Sequence, residues 1–80
     1  MSIEEAKAGV AAAGQSASQA ISQLQGTKQT IEQAMSTLAS ATQGTSHSSV
    51  NQAIGHYQQA QSKIDEAVTM IGAAVQTGNQ

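Results

Sequence analysis

His47 and His56 are the only side chains of this sequence whose unperturbed pKa lies near neutrality. A helical metal pair needs i, i+3 or i, i+4 spacing, which stacks two imidazoles on one face. These two stand nine residues apart, so they can meet only across an oligomer, and they read as two solvated polar residues. Asp65 and Glu66 are neighbours in sequence. On a helix they diverge and cannot serve one substrate as an acid and base pair. None of the ten serines lies in a G-x-S-x-G turn, and no oxyanion-hole loop accompanies them. Gly9, Gly14, Gly26, Gly55 and Gly72 follow no strand and form no phosphate-cradling loop. They fall within helical pattern, where each costs up to ~1 kcal/mol relative to Ala. There they either admit a close partner helix or are simply tolerated. The expectation is therefore no catalytic, cofactor-binding or metal site, no cofactor and no enzymatic activity.

The elements that carry these residues are legible from periodicity. The chain lacks Pro, the strongest helix interrupter. With Ile3 as heptad position a, the a line continues through Val10, Ala17, Leu24, Ile31 and Leu38, and the d line through Ala6, Ala13, Ala20, Thr27, Ala34 and Ala41. A seven-residue period held over about six heptads predicts a coiled-coil seam. Ser2 and Glu5 form a capping box at its start, where Glu4 and Glu5 also suit the helix dipole. The repeat stops at Thr42, and Gly44 is placed for a left-handed cap. A second box, Ser49 with Gln52, opens the next helix, with Ser46 and Ser48 as alternative caps. Its a positions are Val50, Tyr57, Ile64 and Ile71, and its d positions Ala53, Ala60, Ala67 and Ala74. The expected division of this single domain, residues 1–80, is helix 3–42, loop 43–48 and helix 49–77, with the residues from Gln76 onward frayed.

A short loop makes the helices antiparallel neighbours. If Thr42 faces Ser49, paired residue numbers sum to about 91. Leu24 then meets Ala67, Ile31 meets Ala60, Leu38 meets Ala53, and Tyr57 meets Ala34. Large side chains thus oppose alanines along an antiparallel two-helix coiled-coil hairpin. Its seam is Leu24, Ile31, Leu38, Val50, Tyr57, Ile64 and Ile71. The first helix outruns the second by on the order of 16 Å, an overhang of residues 3–13 that leaves Ile3 and Val10 unopposed. A second apolar line occupies the e positions: Ile21, Met35, Ile54, Val68 and Val75. Two helices bury too little to offset ordering entropy of ~1.5 kcal/mol per residue. The overhang and the e line are therefore assigned to self-association, first as a dimer forming a four-helix bundle. A larger helical protein is the other partner of matching chemistry.

Composition removes several classes. Ala, Gln, Ser, Thr and Gly supply 52 of the 80 residues. Three lysines without arginine, at net charge −2, cannot neutralise a phosphate backbone, which excludes nucleic acid as a partner. No stretch approaches the ~20 apolar residues of a membrane span. Without Cys there is neither a disulfide nor a thiolate site. The acidic start lacks a basic n-region and apolar core, so no ordinary cleaved signal peptide is expected, and the localisation is cytoplasmic or secreted without cleavage.

The stretch Leu38-Ala39-Ser40-Ala41-Thr42-Gln43-Gly44-Thr45-Ser46 before an amphipathic helix resembles the turn of the WXG100, or ESAT-6-like, family. Gly44 matches the Gly of the family's W-x-G turn, and Thr42 stands where the Trp would be. The family's Y-x-x-x-[DE] export signal has no counterpart, because Tyr57 is followed at that spacing by Gln61. The resemblance implies a small helical hairpin that dimerises and is exported by type VII secretion. The layout is also similar to small actinobacterial hairpin proteins of this length. It resembles type III secretion needle subunits too, which would imply filaments, although their P-S-x-P connection is absent here. A plain intracellular adaptor or scaffold hairpin is the third reading.

Overall fold

The computed structural model describes residues 2–44 and 47–79 and contains two helices, α1 (Ile3–Ala41) and α2 (Ser48–Gly78), with no strand among the described residues. The start of α1 falls where the sequence expectation of 3–42 and 49–77 placed it, the other three boundaries differ by one residue, and the end chemistry explains why. At the start of α1, Glu5 N–H donates to Ser2 Oγ at 3.1 Å, which supplies one half of the expected capping box. At its end Thr42 leaves helical geometry (φ −109°, ψ 18°). Its N–H and its hydroxyl both donate to the Leu38 carbonyl, at 3.1 and 2.6 Å. Gly44 follows with φ +83°, the left-handed conformation that glycine takes without steric cost.

The second start differs from expectation. The N-cap of α2 is His47, extended and without a side-chain cap bond. Ser49 therefore falls inside the first turn and Gln52 in the second, instead of forming a box at the helix entrance. A backbone bond from Val50 N–H to the His47 carbonyl, 3.1 Å, closes that turn in 3₁₀ fashion. Thr45 and Ser46 of the expected loop, Ser46 as an alternative cap included, lie outside the described residues. Gln76, Thr77 and Gly78 continue α2 where fraying was expected, and Asn79 N–H closes the end on the Val75 and Gln76 carbonyls at 3.1 and 3.3 Å.

The helices pack antiparallel along their length. Lys28 pairs with Asp65 and Gln61 with Glu32, and Val10 Cγ1 comes within 3.9 Å of where a Cβ on Gly78 would lie. These pairs sum to between 88 and 93, bracketing the expected 91. The product is a rod of 64 × 15 × 14 Å with a radius of gyration of 18.6 Å. A compact chain of this length would measure about 12 Å.

Packing uses three heptad positions instead of two. On α1 the half-buried residues include Ala17, Ala20, Ile21, Leu24, Ile31, Ala34, Met35 and Leu38; on α2, Val50, Ala53, Ile54, Ala60, Ile64, Ala67, Val68, Ile71 and Val75. The e line is thus partly taken up by the hairpin itself. Alanines along d allow the helices to lean toward their e sides, where the bulkier aliphatic groups stand. Thr27, the one d residue of that line that is not Ala, is exposed and its hydroxyl donates back to the Gln23 carbonyl at 3.0 Å.

Candidate interaction surface

The residues with chemical potential do not converge. His47 caps α2 and His56 lies two and a half turns along it, both exposed. Asp65 is engaged by Lys28 Nζ at 2.7 and 3.0 Å, while Glu66 faces Lys63 at 3.6 Å across one turn of its own helix. Among the described residues no three His, Asp or Glu side chains gather as a metal site would require. No helix of the described residues is long and apolar enough to cross a membrane.

What the structure does present is a surface. None of the described residues is fully buried, in either helix. The chain exposes 6019 Å², whereas a compact folded monomer of 8.1 kDa exposes about 4,500 Å². No family model matches this chain, and neither a curated protein nor a solved structure matches it at a significant level. The surface must therefore be read from its own chemistry.

That surface has two unlike sides. Along one, the register of the Gln61–Lys28 contact, whose numbers sum to 89, sets the other e residues of the two helices at matching heights: Ile21 with Val68, Met35 with Ile54, and Gly14 with Val75. All of these residues are half-buried. The other side carries the c and g positions. It is built of Gln, Thr and Ser with His56, Lys63 and Glu66, and its one large apolar residue is Met70, 72% exposed. A single exposed Met among polar neighbours is ordinary.

The apolar side is interrupted once, midway. Lys28 and Gln61 occupy the e positions between the Ile21 and Met35 layers. Lys28 reaches Asp65, and Gln61 Nε2 donates to Glu32 Oε2 at 2.8 Å, with a longer bond of 3.4 Å to the Lys28 carbonyl. This polar layer escaped the sequence reading, although the signal was present: Lys28 and Gln61 stand on the heptad lines that contain Ile21, Met35, Ile54 and Val68.

At the open end of the rod the expected overhang is shorter than residues 3–13. Val10, Ala13, Gly14 and Ala17 line an apolar groove of about 170 Å³ with Ala74, Val75 and Gly78. α2 reaches this far because it runs through Gly78. Only residues 3 to about 9 extend past it, roughly 10–12 Å of helix. Ile3 in that segment is 74% exposed, and Val10 at its base 36%. Of the seam residues, Leu24, Ile31, Leu38, Val50, Ile64 and Ile71 are half-buried as placed. Tyr57 is the outlier, still 36% exposed. A ring that large cannot fit wholly between helices spaced for alanine, so part of it stays open to solvent.

Apart from Gly78 at the end of α2, the helical glycines do not mark close helix contacts within the hairpin. A Cβ placed on Gly9, Gly14, Gly26, Gly55 or Gly72 meets nothing within 4 Å.

Proposed function

We propose that this chain is a non-enzymatic helix-packing protein that acts as an assembly, first of all a homodimer in which two hairpins form a four-helix bundle. The observation that carries this reading is the absence of any fully buried residue among the described ones. A chain must cover enough apolar surface to offset the entropy of ordering it, and a hairpin that seals none of its aliphatic side chains has to cover them with something else. Another copy supplies the same half-covered aliphatic rows, and a symmetric contact uses one patch twice.

The association with type VII secretion is the most specific role we attach to the chain. It rests on the resemblance of the Thr42-Gln43-Gly44 turn to the W-x-G turn and on the hairpin architecture. Export from a host carrying that secretion system, with the amino terminus intact, is the expected behaviour. Retention in the cytoplasm with a larger partner would favour the adaptor reading.

Sedimentation equilibrium from micromolar to millimolar concentration, paired with thermal unfolding over the same range, tests the assembly. The expected result is a dimer whose melting temperature rises with concentration. A monomer with a cooperative, concentration-independent melt would overturn it.

A further inference from the structure

We infer that two copies pair through their e sides with both turns at the same end of the bundle, and that the Lys28–Gln61 layer sets this orientation. The inference rests on the self-association proposed above and adds its geometry.

The choice of side follows from composition. The e side holds two apolar layers, Ile21 with Val68 and Met35 with Ile54, and its charges away from the open end are Lys28, Glu32 and Asp65, all in the central layer. The c and g side offers only Met70. The area fits as well. The chain exposes on the order of 1,500 Å² more than a compact monomer of its mass, and a standard interface takes about 800 Å² from each partner. One covered side of the rod supplies that area.

Two symmetric pairings of e sides are possible, and they differ in what the central layer meets. With the two-fold axis across the rod, α1 lies on α1 of the second copy. Lys28 then faces the second copy's Lys28, so two ammonium groups are brought together as water is excluded. With the axis along the rod, α1 lies on α2 of the second copy. Lys28 then faces the second copy's Gln61 and Asp65, so its ammonium meets between chains the same carboxylate that it engages within its own hairpin. Charge complementarity selects the second pairing. In that pairing Ile21 lies on Val68 and Met35 on Ile54, so the apolar layers also stay in step. Both copies of Ile3 come to one end of the bundle. In the other pairing, centred on the same layer, each projects alone from an opposite end, past the reach of the second copy's α1. A polar layer within an apolar interface is a known means of fixing register and orientation, because every wrong alignment leaves its groups unpaired.

The native chain has no cysteine, so one spin label at an exposed turn residue reports the orientation. Gln43→Cys, labelled with a nitroxide, is measured by pulsed dipolar spectroscopy on the full chain at a concentration where it is dimeric. The expected distance is roughly 15–25 Å, the width of a bundle of helices 8–10 Å apart. A distance of about 40–45 Å, from the rise of ~1.5 Å per residue away from the central layer, would overturn the orientation while leaving self-association intact. No dipolar signal at millimolar protein would overturn both. As a second readout, Lys28→Glu should weaken self-association at least about tenfold at low salt, with helix content unchanged by circular dichroism. Unchanged association in that variant would refute the role given to the layer.

Discussion

Replacing helical glycines by alanine should stabilise this protein, and the structure says at which positions. Glycine in a helix interior gives up more backbone entropy on folding than any other residue, at a cost of about 0.5–1 kcal/mol relative to alanine. The gain from Gly→Ala is realised only where the added methyl group has room. A Cβ on Gly26 or Gly55 meets nothing within 4 Å. Gly26 occupies a c position and Gly55 an f position, both away from the apolar e side. The double variant Gly26→Ala/Gly55→Ala should therefore gain roughly 1–2 kcal/mol. For a chain of this size that is on the order of 5–15 °C in melting temperature. Gly44 provides the opposite control. Its φ of +83° is a conformation that a Cβ disfavours by about 1–2 kcal/mol, so Gly44→Ala should lower stability even though the space around it is open. Urea unfolding followed by far-UV circular dichroism, at one fixed protein concentration, measures all three. A double variant no more stable than the parent would refute the reasoning, because it would mean that the outer faces are packed against something the hairpin alone does not contain. The same substitution at Gly14 and Gly72 then becomes informative, since Gly14 is at an e position and Gly72 at the neighbouring b position. Smaller gains there than at Gly26 and Gly55 are expected if a second copy covers that side.

Ser2→Ala removes the acceptor of the Glu5 N–H bond and should cost about 1 kcal/mol of α1 stability, seen as reduced helix content and a lower melting temperature. Tyr57→Ala should cost about 1–2 kcal/mol in urea unfolding; a loss of the size of a fully buried aromatic, 3–5 kcal/mol, would mean that the exposed part of the ring is covered in the assembly. Asp65→Asn should change hairpin stability by no more than about 1 kcal/mol, because its pair with Lys28 is solvent-accessible, with side chains 40% and 61% exposed; a larger loss in urea unfolding at dilute protein would contradict that reading.

The parts of this fold that were legible in the sequence are those set by local rules. The a and d lines fixed two helices because nothing in the chain interrupts them. Ser2 and Gly44 marked ends through side-chain capping and positive φ, two effects that act within a turn. The pairing of large residues with alanines fixed the register, and the Lys28–Asp65 contact falls within two residues of it. What escaped depends on how the helices lean against one another. A two-position seam treats Ile21, Met35, Ile54, Val68 and Val75 as surplus, yet all are half-buried within the hairpin, because a row of alanines allows a lean that a row of leucines would block. His47 as a cap was equally hidden, since a backbone bond closes that turn without any capping side chain.

The lean has a consequence for how this molecule can work. Alanine at d brings the helices together but leaves none of the described residues deep enough to be sealed from water. Leucine at d would bury more within the hairpin and leave the e side less apolar surface in need of cover. The sequence keeps most of its larger side chains at a and e, where they are at most half-buried. It places its charged residues on that side in one central layer and near the open end. In the assembly proposed above, such a chain would gain much of its folded-state stability from what covers the e side, and its helices would hold more firmly assembled than alone.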